Sequence, residues 1–266
     1  MENKSRELEV AIKAALEAGK VLQKYQEMEI ERIVKDDKSM VTLADTEAEE
    51  VIKKIISENF PDHSVVGEET DAVKGKSLHT WYVDPIDGSR NFAHKIPFFA
   101  VSLALLHQED IIAGVVFNPA TNSLFYSEKG RGAYLNGKKI HVSDADKDKC
   151  IVTVAVGRNS SQLLRRNLLH DLPEHVVASV RDFGCTALDL AHVARGSTEA
   201  DIKLGFKTYD AAAGILLVLE AGGKITGIDG NEWHLSDEGS FIASNGLFHD
   251  LLVQEVKKQK DKLGLK

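Results

Sequence analysis

Five short apolar runs between residues 64 and 126 limit the folds that are open to this chain. The runs are rich in β-branched and aromatic residues, a composition typical of β-strands. Asn136-Gly137, a little further on, is a signal for a hairpin turn. The sequence therefore predicts a series of strands in this region. They cover residues 64–66, 80–83, 99–106, 111–117 and 123–126.

Segments with helical periodicity flank the predicted strands. Apolar residues at close to helical spacing predict an opening helix over residues 5–27. Thr46 and Glu49 fit a capping box before a second helix, which Pro61 would stop. From residue 151 onward strands and helices alternate, and this mixture predicts a layered α/β or α+β domain. Further helices are expected near residues 162–170, 186–195, 211–221 and 247–258.

Length and composition are typical of a globular protein. The 266 residues suit one domain over residues 1–266, with two lobes of approximately residues 1–145 and 146–266. Hydrophobic residues at 43% and charged residues at 28% are ordinary values for such a protein. The richest apolar stretch, residues 98–106, is too short to span a bilayer, so no membrane role is expected.

Charge and cysteine content narrow the range of partners. The formal net charge of −8 disfavours binding to a nucleic-acid polymer, because the phosphates would be repelled. Acidic residues gathered in one place would instead attract divalent cations. The two cysteines have no CxxC spacing, so neither a zinc site nor a disulfide framework is predicted. With few cysteines and no signal-peptide pattern, the cytoplasm is the expected compartment.

Three acidic segments follow predicted strands or begin a predicted helix. In the segment over residues 84–89, Asp84 closes an apolar strand and Pro85 interrupts the hydrogen bonding of that strand, so the chain must turn. Gly88 permits an unusual backbone angle, so Asp84 and Asp87 can point to the same place. The segments are Gly67-Glu68-Glu69, Asp84-Pro85-Ile86-Asp87-Gly88-Ser89 and Tyr209-Asp210-Ala211-Ala212-Ala213-Gly214.

Carboxylates from these segments would form a magnesium site if they converge. Asp84, Asp87 and the carbonyl of Ile86 supply hard oxygen ligands, which suit Mg²⁺. With Glu68 and Asp210, four carboxylates would share one site. Two unit charges ~4 Å apart repel by about 4 kcal/mol at an effective dielectric of 20, so such a cluster needs cations or protons.

Each segment also has a structural explanation when it is taken alone. An Asp-x-x-Asp pair before glycine is common in turns, where the Asp side chain binds its own backbone. A Gly-Glu-Glu segment is common on solvated surfaces. Asp210 is a good N-cap for the Ala-rich helix that follows it. The functional interpretation therefore depends on the three segments occurring together.

Together the segments resemble the inositol monophosphatase family of metal-dependent, lithium-sensitive phosphatases in residue type, order and separation. The similarity covers nearly the whole chain and includes Val41-Thr42-x-x-Asp45 and the terminal Ala243-Ser244-Asn245. The resemblance implies the layered αβαβα sandwich of sugar phosphatases, usually a homodimer. It also implies two or three Mg²⁺ ions per site and a small phosphorylated metabolite as the substrate.

The resemblance assigns metal ligands residue by residue. Glu68, Asp84 and the Ile86 carbonyl look like ligands of a first Mg²⁺. Asp84, Asp87 and Asp210 look like ligands of a second Mg²⁺. By the same resemblance, Glu68 would hold a weaker third ion through water, and Asp210 would also contact the substrate.

The resemblance assigns catalytic and phosphate-binding groups as well. Ser89 stands where the family usually has Thr, and it keeps the hydroxyl, so activity is expected to survive. This hydroxyl, polarised by Asp45, would help to orient the attacking water together with Glu68. The backbone N–H groups of Gly88 and Ser89 would hold the phosphate. Thr186 lies in a helix start that aligns with a segment contacting the substrate through its backbone.

Substrate recognition is where the sequence departs from the family pattern. Inositol-specific members carry a Glu shortly before the last metal Asp, and a gapless match back from Asp210 puts Lys203 there. A Lys donates and is positively charged where a Glu accepts. With Lys207 close by, this suggests a substrate with a second anionic group, such as a bisphosphate. The open alternative is that both lysines are solvated residues at strand ends.

These implications predict a Mg²⁺-dependent phosphatase that converts inositol 1-phosphate to inositol and phosphate by direct attack of water, without a phosphoenzyme. Other substrates stay open, namely fructose 1,6-bisphosphate (alone or with inositol phosphate), 3′-phosphoadenosine 5′-phosphate and histidinol phosphate. Arg90-Asn91-Phe92 favours the inositol branch over the adenosine one. A non-catalytic binding protein built on a phosphatase fold is the alternative from a different class.

Overall fold

A computed structural model describes residues 4–27, 33–34, 40–41, 43–157, 161–235 and 240–265, with the backbone alone described at 33–34, 40–41 and 173–175. The helices are α1 (Arg6–Gln26), α2 (Leu43–Asn59), α3 (Ser89–Ala93), α4 (Gln162–His175), α5 (Thr186–Ala194), α6 (Thr208–Glu220) and α7 (His249–Lys262). The strands are β1 (Ile33–Val34), β2 (Met40–Val41), β3 (Ser64–Gly67), β4 (His79–Asp87), β5 (Ala100–His107), β6 (Asp110–Asn118), β7 (Ser123–Glu128), β8 (Gly132–Leu135), β9 (Lys138–Ile140), β10 (Ile151–Val156), β11 (Ser179–Arg181), β12 (Ala200–Leu204), β13 (Lys224–Thr226) and β14 (Phe241–Ser244).

The strands form two large sheets and one short pair. Strands β3 to β9 make a seven-stranded sheet in sequence order, with only its first pair, β3 and β4, parallel. The second sheet has the order β11-β10-β12-β14-β13, with β11, β10 and β12 parallel. Strands β1 and β2 pair with each other in antiparallel fashion. Sheets of this mixed kind need helices on their faces to bury apolar surface.

The helices and sheets stack in five alternating layers. Helices α1 and α2 pack on one face of the large sheet, around buried residues such as Trp81 and Leu103. Helices α5 and α6 cover its other face and also contact the small sheet, where Phe241 is buried with them. Helices α4 and α7 pack on the outer face of the small sheet, around Val154 and Leu252. The expected αβαβα sandwich is therefore confirmed.

Local signals in the sequence placed α1 and the β8–β9 hairpin correctly. Helix α1 begins directly after Ser5, whose hydroxyl accepts a hydrogen bond from the N–H of Leu8 at 3.1 Å. Asn136 and Gly137 join β8 to β9 with φ angles of 48° and 80°, as a two-residue hairpin turn requires. Both features depend on contacts between neighbours in sequence, so the sequence alone could predict them.

The predicted capping box at Thr46 is wrong. Helix α2 begins at Leu43, so Thr46 lies inside the helix. The carboxylate of Glu49 does not cap α2 but accepts hydrogen bonds from the N–H groups of Glu69 (2.8 Å) and Thr70 (3.0 Å). A buried carboxylate needs hydrogen-bond donors, and these can come from any nearby backbone. Here the donors belong to the segment that follows β3.

The predicted strand over residues 80–83 is longer than expected. Strand β4 continues through Pro85 to Asp87, so the expectation that it closes at Asp84 is wrong. The two sheets divide between β9 and β10, close to the proposed lobe boundary, but α5 and α6 pack against both sheets. The two-lobe division remains a prediction. None of the described helices is long and apolar enough to cross a bilayer.

Gly114 on β6 sets how closely α6 approaches the large sheet. A Cβ atom at this position would lie 2.9 Å from the carbonyl oxygen and 3.0 Å from the Cα of Ala213. Both are backbone atoms, so α6 would have to move. We expect Gly114→Ala to lower the free energy of unfolding by about 1–3 kcal/mol in urea denaturation. A change smaller than about 0.5 kcal/mol would show that α6 adjusts freely.

Candidate active site

A bulge in β4 brings two aspartates to the same face of the large sheet. Asp84 lies opposite Ser102 of β5, and Asp87 lies opposite Ala100, with a register shift between them. Residues three apart on a regular strand point to opposite faces. Here three steps on β4 match two steps on β5, so Asp84 and Asp87 both face the layer of α5 and α6.

Gly88 turns the chain from the end of β4 into α3. Its φ angle of 83° lies in the left-handed region that favours glycine. A Cβ atom there would lie 3.1 Å from the carbonyl oxygen of Phe98 and 3.1 Å from the Cβ of Cys185. The position therefore favours glycine for two separate reasons. Ser89 is the first residue of α3.

Two further acidic residues reach the same place from β3 and α6. Gly67 pairs with Val83 in the parallel β3–β4 ladder, so Glu68 emerges beside Asp84. Asp210 lies in the first turn of α6, where its carboxylate accepts a hydrogen bond from the N–H of Lys207 at 3.2 Å.

Three of the predicted ligands converge in the structure. Carboxylate oxygens of Glu68, Asp84 and Asp210 all lie within 4.8 Å of one another. Asp87 adjoins this group, and its Oδ2 accepts hydrogen bonds from the N–H of Ala187 and from Cys185 Sγ, the latter at 3.2 Å. The arrangement fits a centre for divalent cations, because it gathers hard oxygen donors on rigid strand and helix ends.

The electrostatics of the cluster agree with this interpretation. Burial raises the pKa of Asp84 well above its ordinary value, and the charges of Glu68, Asp87, Asp210 and Asp45 raise it further. Burial also raises the pKa of Asp210, with further contributions from Asp87 and Glu68. Carboxyl groups in this situation hold protons unless a cation takes their place.

The other predicted site residues lie around the cluster. Asp45 is buried in the first turn of α2 and is close enough to Asp84 to raise its pKa. Thr186 is the buried first residue of α5. The backbone of Ile86 lies inside the bulge, where its N–H donates to Asp84 Oδ1 at 3.0 Å. The catalytic and ligand roles of these residues remain predictions.

A cleft of about 460 Å³ opens beside Asp87 and Asp210. Charged side chains line much of the cleft. Two of them, Arg90 and Arg165, were not predicted from the sequence to contact a substrate. Arg90 and Lys207 are exposed, whereas Arg165 forms an ion pair with Asp182 at 2.5 Å. The cleft is the space next to the cluster in which a small anionic substrate could lie.

Lys203 is a buried residue that borders the cleft. It is completely buried, so it is not a solvated strand-end residue. Its Nζ lies 2.5 Å from Asp189 Oδ2 and 3.3 Å from Asp201 Oδ1. These two carboxylates already neutralise the ammonium group, and this disfavours a role in binding a second substrate anion. The Asp201-x-Lys203 spacing on a strand was the available signal, because it places both residues on one face.

Comparisons with known proteins agree with the geometry. The sequence model of the inositol monophosphatase family matches residues 3–261. The inositol-1-monophosphatase of Mesorhizobium japonicum is 38% identical over 259 residues, which cover 94% of this chain and 96% of the relative. The fructose-1,6-bisphosphatase/inositol-1-monophosphatase of Aquifex aeolicus is 38% identical, covering 97% and 98%. The solved structure of the extragenic suppressor protein suhB from Bartonella henselae has a TM-score of 0.91 at 34% identity, covering 96% and 99%.

The cluster predicts that the metal-free protein loses stability as the pH rises. Burial raises the pKa of Asp87 to about 6, although hydrogen bonds from Ala187 and Cys185 oppose the rise. An acid with a higher pKa in the folded state binds more protons when folded, so the free energy of unfolding falls between the two pKa values. We expect Asp87→Asn in EDTA to flatten this fall between pH 4 and pH 7, by about 1 kcal/mol or more.

Asp110→Asn is the matched control for this prediction. Asp110 is 69% exposed on β6, where it pairs with Lys129 at 3.0 Å, and it lies outside the cluster. The control should keep the pH dependence of the wild type. If Asp87→Asn follows the same curve as the control, burial does not raise the pKa of Asp87 as described.

Proposed function

This chain belongs to the inositol monophosphatase family, and we propose that it is a Mg²⁺-dependent phosphatase that hydrolyses a small phosphate monoester, with inositol 1-phosphate as the leading substrate. The main observation in support of this proposal is that Glu68, Asp84 and Asp210 converge next to Asp87 and the cleft. Membership of this family supports phosphatase activity. The substrate and the mechanism are the further steps of the proposal.

The proposed metal ligands follow from the resemblance to the family. Glu68, Asp84 and the carbonyl of Ile86 would hold one Mg²⁺, and Asp84, Asp87 and Asp210 would hold a second. Glu68 would hold a weaker third ion through water. When bound, these ions would lower the pKa of the attacking water and stabilise the departing oxygen of the substrate.

The protein's own groups would bind and orient the reactants. The backbone N–H groups of Gly88 and Ser89 lie at the start of α3. They would hold the phosphate, because the first N–H groups of a helix lack helical partners. The hydroxyl of Ser89, with the carboxylates of Asp45 and Glu68, would orient the attacking water. Positioning and charge neutralisation are the main requirements of phosphoryl transfer.

A covalent phosphoenzyme is not part of the proposal. Cys185 is a potential nucleophile in contact with Asp87, but its Sγ donates to Asp87 Oδ2 and the side chain is buried. Burial, followed by the charges of Asp87 and Asp189, raises the pKa of this thiol well above its ordinary value. A protonated thiol is a poor nucleophile, so direct attack by water is the favoured route.

The cleft also offers cationic side chains to a substrate with a second anionic group. Arg90 and Lys207 are the exposed cations of its lining, and they replace Lys203 as candidates for binding a second anionic group. Fructose 1,6-bisphosphate is therefore the first alternative substrate, in agreement with the name of the Aquifex aeolicus relative. 3′-Phosphoadenosine 5′-phosphate and histidinol phosphate follow as further alternatives.

The remaining parts of the proposal rest on the family. We propose a homodimer in the cytoplasm, two or three Mg²⁺ ions per site and inhibition by lithium. Light scattering that gives the mass of a monomer would remove the dimer from the proposal. A non-catalytic binding protein with this fold is the alternative from another class, and it would show no phosphate release on any substrate.

Phosphate release with and without Mg²⁺ tests the proposed activity. The panel comprises inositol 1-phosphate, fructose 1,6-bisphosphate, 3′-phosphoadenosine 5′-phosphate and histidinol phosphate. We expect Mg²⁺-dependent turnover that Asp87→Asn lowers about 100-fold or more, because a metal ligand is lost. Asp110→Asn should retain wild-type turnover. Turnover that does not need Mg²⁺, or that survives in Asp87→Asn, would contradict the proposal.

Lys207→Gln tests the role of the cleft in substrate choice. We expect KM for fructose 1,6-bisphosphate to rise roughly threefold and KM for inositol 1-phosphate to stay unchanged, since an exposed ion pair contributes up to about 1 kcal/mol. Lys224→Gln is the control, because Lys224 is a half-exposed lysine that pairs with Asp250 and lies outside the cleft lining. Equal changes in KM for both substrates would defeat the idea.

A further inference from the structure

The start of α5 determines how Asp87 is oriented. The N–H of Ala187 and the Sγ of Cys185 both donate to one oxygen of Asp87, its Oδ2. With Oδ2 held in this way, Oδ1 is the oxygen that can turn to the cation centre. A small shift in the first turn of α5 would therefore change what Asp87 presents to a metal ion.

A buried chain of polar contacts holds that first turn in place. Asp189 lies in the first turn of α5, and its Oδ2 accepts a hydrogen bond from Lys203 Nζ at 2.5 Å. Lys203 and Asp201 point to the same side of β12, with Nζ 3.3 Å from Asp201 Oδ1. The hydroxyl of Thr153 on β10 donates to the same Oδ1 at 2.6 Å. The contacts thus join two strands of the small sheet to α5.

The charges of this group make it costly to break. One ammonium group faces two carboxylates, and all three side chains are 0% exposed. Burial alone would lower the pKa of Lys203, but Asp189 and Asp201 raise it above its ordinary value, so the side chain stays charged. Removing one partner of a buried ion pair leaves an uncompensated charge and typically costs about 3–5 kcal/mol.

The same group contributes little to net stability. Asp189 Oδ1 and Asp201 Oδ2 are buried without a hydrogen-bond partner among the described residues. Well-packed apolar residues are often as stabilising as a buried ion pair, or more so. A fixed geometry next to the cation centre is a stronger reason for this arrangement than stability.

We propose that Lys203 is a positioning residue that, with Asp201 and Thr153, holds Asp189 and so fixes the start of α5 and the orientation of Asp87. In this role Lys203 contacts neither the substrate nor a second substrate anion. The proposal rests on the proposed function only in that Asp87 is taken as a Mg²⁺ ligand.

The test compares Mg²⁺ binding in Lys203→Met and the wild type. Mg²⁺ is titrated against the metal-free protein, and binding is followed by calorimetry and by the rise in unfolding temperature. We expect Lys203→Met to weaken Mg²⁺ binding about tenfold or more, as loss of a residue that orients a metal ligand usually does. The ratio of KM values for fructose 1,6-bisphosphate and inositol 1-phosphate should stay at the wild-type value.

A milder pair of variants keeps the test decisive if Lys203→Met fails to fold. Thr153→Val removes only the hydrogen bond to Asp201, and we expect Mg²⁺ binding to weaken roughly threefold. Thr198→Val is its matched control, because the Thr198 hydroxyl is also buried but has no partner among the described residues. This control should bind Mg²⁺ as the wild type does.

Several results would overturn the positioning role. One is a folded Lys203→Met that binds Mg²⁺ within twofold of the wild type but has a raised KM for the bisphosphate alone. Another is an equal effect of Thr153→Val and Thr198→Val on Mg²⁺ binding. A wild type that binds Mg²⁺ but releases no phosphate would defeat the phosphatase proposal only, and one that binds no Mg²⁺ would defeat both.

Discussion

Repulsion between carboxylates held close together is the constraint on which the site depends. Asp84 is only 1% exposed, and it shares its surroundings with Glu68, Asp87 and Asp210. Such groups would move apart if the backbone allowed it, and where it does not they hold protons or a cation. The four carboxylates therefore come from three rigid supports: Asp84 and Asp87 from the bulge of β4, Glu68 from the end of β3 and Asp210 from the first turn of α6. Charge and stability oppose each other here, as is common at functional sites.

The N-termini of three helices supply part of the positive potential that balances the clustered carboxylates. Helices α3, α5 and α6 all begin near the cluster, at Ser89, Thr186 and Thr208. The first N–H groups of a helix lack helical partners and carry partial positive charge. Ala187 in α5 donates such a group to Asp87, and α6 carries Asp210 in its first turn. The middle helical layer thus both packs the two sheets together and stabilises the acidic groups between them.

Much of the fold could be predicted from sequence, because its signals are local. The hairpin at Asn136-Gly137 and the apolar periodicity of α1 depend on neighbouring residues, and the structure contains both elements. The placement of Asp84 and Asp87 was anticipated, but for an incomplete reason: a turn was expected where β4 in fact continues through a bulge. A bulge is defined against a partner strand, and a single segment does not reveal it.

The partners of Lys203 could not be predicted for a related reason. Lys203 was considered as a contact for a second substrate anion or as a solvated residue, and its side chain is buried between Asp189 and Asp201 where the cleft begins. Sequence spacing shows that Asp201 and Lys203 share a face of β12. It does not show that this face meets a helix, and Asp189 comes from a separate part of the chain. Tertiary packing decides the environment of such residues.

The position of α6 between the two sheets has a consequence for synthesis of the protein. Glu68 and Asp84 are made early, whereas Asp210 follows most of the chain and reaches them only when α6 packs against the large sheet. Contacts between residues so distant in sequence form slowly. A growing chain on the ribosome can therefore form much of the large sheet before Asp210 has joined the other carboxylates of the cation centre.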